Sequence, residues 1–148
     1  MKKIIIILVI LFVVFVVATL IIGRTFFPDN VAETAPDGGA KDLKTRVYKT
    51  DLANAAKVAA ETIPTLSSWG SNWKLTENKV ENDTATVKAE VPVVVFTDDL
   101  QIRAEKDAAT GGIIVNVRSN SRVGKSDLGE NRRHVLQILE ALDAKFKN

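Results

Sequence analysis

From Ile4 to Gly23 the chain reads IIIILVILFVVFVVATLIIG, 20 residues without a charge and with Thr19 as the one polar side chain. At about 1.5 Å of rise per residue, such a helix reaches roughly 30 Å, the thickness of a hydrocarbon core. A secretory signal usually has a shorter apolar region, about 7–15 residues, followed by a small-x-small cleavage site. Gly23-Arg24-Thr25-Phe26-Phe27 offers no such site, so residues 1–27 read as a retained anchor with its span at 4–23. Lys2 and Lys3 precede the span and only Arg24 closely follows it. By the positive-inside rule this places the N-terminus in the cytoplasm and the rest of the chain in a periplasmic, extracellular or lumenal space.

Residues 28–42 (PDNVAETAPDGGAKD) carry two prolines, two glycines, four acidic residues and little large apolar surface. That composition predicts a flexible linker. From residue 43 the pattern becomes periodic. Leu43, Thr45 and Val47 alternate with Lys44, Arg46 and Tyr48, predicting a short strand with the first set inward. Thr50 or Asp51 then caps a helix whose apolar stripe is Leu52, Ala55, Ala56, Ala59 and Ile63, ended by Pro64. A stripe of alanines predicts close approach to whatever covers it. Trp69 and Trp73 are read as core edges, rather than as an exposed stacking pair, on size and burial statistics.

Two strands follow, joined at Glu81-Asn82-Asp83, with an alternating apolar face from Ala85 to Val95 on the second. Counting back from the turn sets Leu75 opposite Ala89 and Trp73 opposite Val91. Pro92 lacks an N–H and marks a bulge or an edge. Val94 and Phe96 make this end apolar on both faces, a sign of a second packing surface: cavity, partner or membrane. After a turn at Thr97-Asp98-Asp99, a strand points Leu100, Ile102 and Ala104 inward. Asp107–Gly112 turns the chain into a last strand with Ile113, Val115 and Val117 inward. The register pairs Lys106 with Ile113, Arg103 with Asn116 and Asp99 with Asn120. A closing helix starts from Asp127 as cap, with Glu130 completing a capping box and Leu128, Val135, Leu139, Leu142 and Phe146 on one face.

The order β-α-β-β-β-β-α predicts an α+β domain over residues 43–148. It has two layers, a five-stranded, mostly antiparallel sheet with both helices on one face. A helix-grip shape, with the sheet wrapped around the last helix and a cavity, is the alternative; a domain this size needs most of its apolar groups for its own core.

Composition narrows the chemistry. There is no Cys, which excludes disulfides, a thiolate nucleophile and cysteine metal sites, and His134 is the single histidine. No metal or cofactor is expected. Without Lys2 and Lys3 the chain holds 18 basic and 18 acidic residues, a balance that argues against nucleic acid as a partner.

One stretch concentrates polar groups. Val117 to His134 reads VRSNSRVGKSDLGENRRH, with five basic residues against two acidic ones. On a structural reading, Arg118 and Arg122 pair with Asp98 or Asp99, Asp127 caps the helix, and Gly124 and Gly129 permit a tight turn. On a binding reading, Arg118, Arg122, Lys125, Ser126, Asn131 and Arg132 join the free N–H groups of the helix start in an anion site, for a lipid headgroup, a carboxylate or a phosphorylated metabolite. Gly124-Lys125-Ser126 ends like a Walker motif, but Ser119 stands where its first glycine belongs. On a catalytic reading, His134, Asp127 and Ser126 supply the residue types of a hydrolase. His134, however, lies seven positions beyond Asp127 and reads as a solvated helix histidine, so no catalytic constellation is assigned.

Ser121-Arg122-Val123-Gly124-Lys125-Ser126-Asp127-Leu128-Gly129-Glu130-Asn131-Arg132-Arg133 resembles the signature of a bacterial and plastid family known as domain of unknown function 1499. The similarity takes in the Asp98-Asp99 strand and, more loosely, everything from Leu43 onward. Many members carry an Asn-Cys-Val segment upstream, which a chain without Cys departs from. The resemblance implies fold and grouping but no activity. The sequence as a whole is read as a membrane-anchored binding or accessory module, a subunit or partner of a larger membrane complex. A binder of a small anionic ligand is the alternative, and a hydrolase ranks third.

Overall fold

The computed structural model describes residues 2–26, 29–39 and 43–146. Met1, residues 27–28 at the junction of the expected anchor and linker, residues 40–42 and the last two residues lie outside the described residues. In chain order the elements are α1 (Lys2–Phe26), β1 (Val31–Glu33), β2 (Arg46–Tyr48), α2 (Leu52–Thr62), β3 (Ser67–Ser68), β4 (Ser71–Asn72), β5 (Lys74–Glu81), β6 (Thr84–Val93), β7 (Phe96–Lys106), β8 (Ile113–Ser121) and α3 (Glu130–Phe146). α1 is long and apolar enough to cross a membrane, and its large side chains from Ile4 to Ile22 are exposed.

β5 to β8 form an antiparallel meander in which each apolar alternation faces one way. Ala85, Val87, Ala89 and Val91 of β6 join Leu100, Ile102 and Ala104 of β7 and Ile113, Val115 and Val117 of β8 in the core. Both longer domain helices cover that face, giving the two-layer α+β arrangement. Asp51 caps α2 by accepting from the Asn54 N–H at 2.8 Å. The alanine stripe Ala55, Ala56 and Ala59 lies close over Ala85, Val87, Ile102 and Ala104, because a methyl side chain sets little distance between layers. Ile138, Leu139 and Leu142 of α3 are fully covered, so its inner face is packed rather than wrapped around a cavity.

The sheet has six strands in the order β1-β8-β7-β6-β5, with β2 on β8 as well. Residues 29–39 therefore depart from the flexible linker that their composition predicted. Val31–Glu33 pairs with Asn120–Arg118, and Arg46–Tyr48 pairs with Val115–Ile113, so two short segments share one edge of β8. Between them the Val117 N–H donates to the Thr34 hydroxyl at 3.0 Å, and the hydroxyls of Thr34 and Thr45 donate to Asn116 Oδ1 at 3.1 and 2.7 Å. Backbone pairing and hydroxyl contacts order the segment, and neither leaves a mark in hydrophobic composition. The expected facing of the β2 region is also reversed at its end: Tyr48 is buried, donating to Asp143 Oδ1 at 2.9 Å, while Val47 is exposed.

The β7–β8 register is the expected one, with Lys106–Ile113, Arg103–Asn116 and Asp99–Asn120 all paired. Leu75 pairs with Ala89 as counted, although the turn itself sets Glu81 against Thr84; a register shift between Leu75 and Glu77 reconciles the two. Pro92 falls past the end of the β5–β6 ladder, at an edge, as a residue without an N–H requires. The turn expected at Thr97-Asp98-Asp99 lies earlier. Val93 pairs with Phe96, so Val94 and Val95 form the hairpin tip and Asp98 and Asp99 are strand residues. Leu128 falls outside α3, which begins at Glu130.

Candidate functional site: a pocket beside the end of the apolar helix

The polar corner between β8 and α3 is built as a joint. Arg122 Nε and Nη2 donate to Asp99 Oδ1 at 2.9 and 2.6 Å, and Nη2 also donates to Glu90 Oε1 at 2.8 Å, linking the ends of β6, β7 and β8. The Arg122 contact, followed by the Lys74 charge, holds the Glu90 carboxyl below its ordinary range. Arg118 does not reach Asp98 or Asp99; its Nε lies 4.0 Å from Glu33 on β1, the strand that composition concealed. Asp127 accepts from the Gly129 and Asn131 N–H groups, each at 2.8 Å, and so caps the approach to α3. Glu130 turns its carboxylate to Arg133 and toward His134, away from the capping-box geometry.

The six candidates for an anion site separate. Asn131 is fully buried, donating to the Asn30 carbonyl and the Ser121 hydroxyl, both at 2.9 Å, and accepting from the Ser119 hydroxyl at 2.6 Å. Ser126 donates to the Gly23 carbonyl at 3.0 Å. Arg118 and Arg122 face carboxylates on different strands, Lys125 is exposed, and Arg132 lies on α3.

A pocket of about 480 Å³ opens beside this joint. Its walls include Trp69, Val94, Phe96, Val123 and Leu128, and its polar lining includes Asp98, Asp127, Glu130 and Arg133. All five apolar wall residues are exposed, as is neighbouring Val95. Trp69 thereby departs from the core position expected for both tryptophans; Trp73 is buried and donates from Nε1 to the Ser68 hydroxyl at 2.8 Å. Among the described residues, four that are not glycine have positive φ: Trp69 (52°), Asn82 (50°), Val94 (51°) and Leu128 (55°). Asn82 is in an ordinary hairpin turn. The other three are bulky, apolar and on the pocket wall, where the left-handed conformation costs about 1–2 kcal/mol each. Three residues in this conformation thus place large apolar groups in solvent around one hollow.

The pocket adjoins the end of α1. Gly23 is buried, and a Cβ built on it falls 2.2 Å from Leu128 Cδ2. Any side chain there would require the Leu128 side chain to move, and Leu128 is both the residue that covers Gly23 and part of the pocket wall.

Beneath the pocket lies the feature most misjudged from sequence. His134 is 1% exposed rather than solvated, because α3 turns Glu130, Asn131 and His134 inward on the same face as Val135 and Ile138. Its ring packs edge-on against Trp73, with centroids 5.8 Å apart. Nδ1 lies 3.6 Å from Asp98 Oδ2 and Nε2 lies 3.7 Å from Glu130 Oε2, both beyond hydrogen-bond length. Burial, reinforced by the nearby Arg133 charge, lowers the imidazole to about 4. Burial likewise raises the Asp98 carboxyl, with the charges of Asp127 and Asp99 adding to the rise and a Ser121 hydrogen bond opposing it. Both side chains are therefore pushed toward their neutral forms.

A family model for a protein of unknown function, DUF1499, matches residues 27–142. The chain belongs to the DUF1499 family. No curated protein matches it. The DUF1499 match begins after α1, takes in β1, and ends within α3. In this DUF1499 domain the Ser121–Arg133 stretch carries the joint, while the pocket wall also draws on Trp69 and the β6–β7 tip, far apart in sequence. The one signal of that wall in the sequence was the two-sided apolarity around Val94 and Phe96.

Proposed function

We propose that this DUF1499 protein is a retained, single-span membrane protein with its N-terminus in the cytoplasm, whose outer domain is a binding module working at the bilayer surface through the pocket. The carrying observation is the junction of Gly23 with Leu128, which sets the pocket wall against the end of the apolar helix. The exposed Trp69, Val94, Val95, Phe96, Val123 and Leu128 then face a medium in which apolar exposure is favourable. Packing of the helix end into the domain supports retention over cleavage, and the positive-inside rule supports the orientation. A binding role is favoured over catalysis because His134, the strongest acid–base candidate, is sealed between Trp73 and the sheet.

The test uses the full chain in phosphatidylcholine vesicles containing lipids brominated along the acyl chain. Quenching of tryptophan fluorescence that disappears in Trp69→Phe supports the reading; equal quenching in both proteins, or none, defeats it. Orientation is checked with a cysteine introduced at exposed Lys79, which is unambiguous in a chain without Cys. A membrane-impermeant maleimide must label it in intact cells, and labelling only after permeabilisation would refute the outward orientation.

A further inference from the structure

The pocket has two chemically distinct kinds of lining. Its apolar part includes the exposed Trp69, Val94, Phe96, Val123 and Leu128. Its charged part has three carboxylates, Asp98, Asp127 and Glu130, against one guanidinium, Arg133, which Glu130 already holds. Arg122 and Lys125 are not among the residues that line it, and Arg122 is spent on Asp99 and Glu90. The local charge balance is therefore the reverse of the basic corner seen in sequence, and an anionic headgroup would meet like charge.

One of these lining residues has a buried atom short of a partner. Asp98 is 2% exposed, and its Oδ2 makes no hydrogen bond; the nearest basic group, His134 Nδ1, stands 3.6 Å away. Leaving a buried carboxylate oxygen unpaired is costly, and a native structure keeps such an atom for a reason. The Asp127 carboxylate accepts from two N–H groups and Glu130 Oε1 pairs with Arg133, whereas Asp98 Oδ2 has no donor. A volume of about 480 Å³ lies within the usual range for small-molecule sites, roughly 300–1,000 Å³, and the mixed lining suits a molecule with one apolar and one polar end.

We infer that the pocket binds an amphiphilic amine, with the alkyl part between Trp69, Val94, Phe96 and Val123 and the ammonium group donating to Asp98. This inference rests on the proposed membrane-surface location for access, since such a ligand concentrates in the bilayer, but its chemistry stands on the pocket lining. The ammonium satisfies the orphan oxygen, and the neighbouring Glu130 and Asp127 add attraction at a distance.

The probe is octylamine, compared with octanol and octanoate of the same chain length. The full-length protein is held in phosphatidylcholine nanodiscs, and binding is read as a saturable change in Trp69 fluorescence, with Trp69→Phe as the blank. Octylamine is expected to bind about tenfold or more tighter than octanoate, the ratio one charge-assisted hydrogen bond supplies, with octanol between them. Asp98→Asn keeps the shape, removes the charge, and should erase the preference of amine over alcohol. Because Asp98 is buried, exposed Val123→Trp provides a second variant that obstructs the pocket and should abolish saturation for all three probes. Octanoate binding as tightly as octylamine, or a response to octylamine unchanged in Val123→Trp, would overturn the inference. Bromolipid quenching of Trp69 that persists alongside either result would leave the membrane-surface reading standing and remove only the ligand.

Discussion

His134 Nδ1 lies 3.6 Å from Asp98 Oδ2, a distance too long for a hydrogen bond and too short for indifference. Burial lowers the histidine to about 4, so the imidazole is neutral near pH 7, and raises the aspartic acid above its ordinary value. The two groups act on stability in opposite directions. A histidine depressed in the folded state stabilises fully above its ordinary value near 6.5, and that contribution is lost as pH falls toward 4. The histidine alone is worth roughly 3 kcal/mol across that window. Asp98, raised on folding, takes up a proton more readily in the folded state and offsets part of the loss. Unfolding at pH 7 and pH 4.5, followed by near-UV circular dichroism, should show a marked loss of stability in the native protein. In His134→Gln the difference should shrink; an unchanged difference would assign the pH dependence elsewhere.

Val94 holds the tip of the β6–β7 hairpin at φ 51°, a conformation that a β-branched residue adopts poorly. Val94→Gly relieves that strain, and the gain should exceed glycine's added unfolded-state entropy by about 0.5–1 kcal/mol. A thermal melt should rise. Octylamine affinity should fall in the same protein, because the strained valine is a wall of the pocket. A residue that destabilises the fold while serving the site accounts for both signs at once.

Gly23→Val places a side chain where Leu128 Cδ2 already stands. The expected outcome is separation of the helix end from the joint, with loss of the Ser126–Gly23 hydrogen bond. Amide hydrogen exchange over residues 124–129 should accelerate, while exchange in β6 and β7 stays as it was. Unchanged exchange at the joint would mean that this packing does not order it.

Asn131→Ala removes three side-chain hydrogen bonds at once, the one from the Ser119 hydroxyl fully buried, and leaves the Asn30 carbonyl with the Ser121 N–H as its remaining donor. The cost should be about 2–3 kcal/mol, read from urea unfolding. An equal exposed change, Lys125→Ala, should be close to neutral, which separates structural from surface polarity within the same stretch.

Periodicity made the meander and both domain helices legible, down to the pairing of Asp99 with Asn120, because apolar alternation fixes which face is buried. It could not reveal β1, whose Val31–Glu33 is held by backbone hydrogen bonds to β8 and by its neighbours' hydroxyls. Arg122 was correctly matched to Asp99, since the register placed them diagonally; Arg118 was misassigned because its partner Glu33 lay in that unseen strand. His134 reads as solvated from its place seven positions beyond Asp127, yet the face that matters is shared with Asn131, Val135 and Ile138. Trp69 escaped for another reason: a positive φ turns a large apolar residue outward, against every statistic of burial.

α1 ends at Phe26 and β1 begins at Val31, and β1 is bonded along β8, the strand that leads into the joint holding Gly23. The helix thus grips the domain at two points. Under the proposed anchoring this makes a bracket where a swivel was expected: tilting of the helix, as bilayer thickness changes, would be passed on to the sheet. The pocket between Trp69 and Leu128 would then ride up or down against the lipid with it, so on that reading bilayer thickness becomes a variable that sets how deeply the domain samples the membrane.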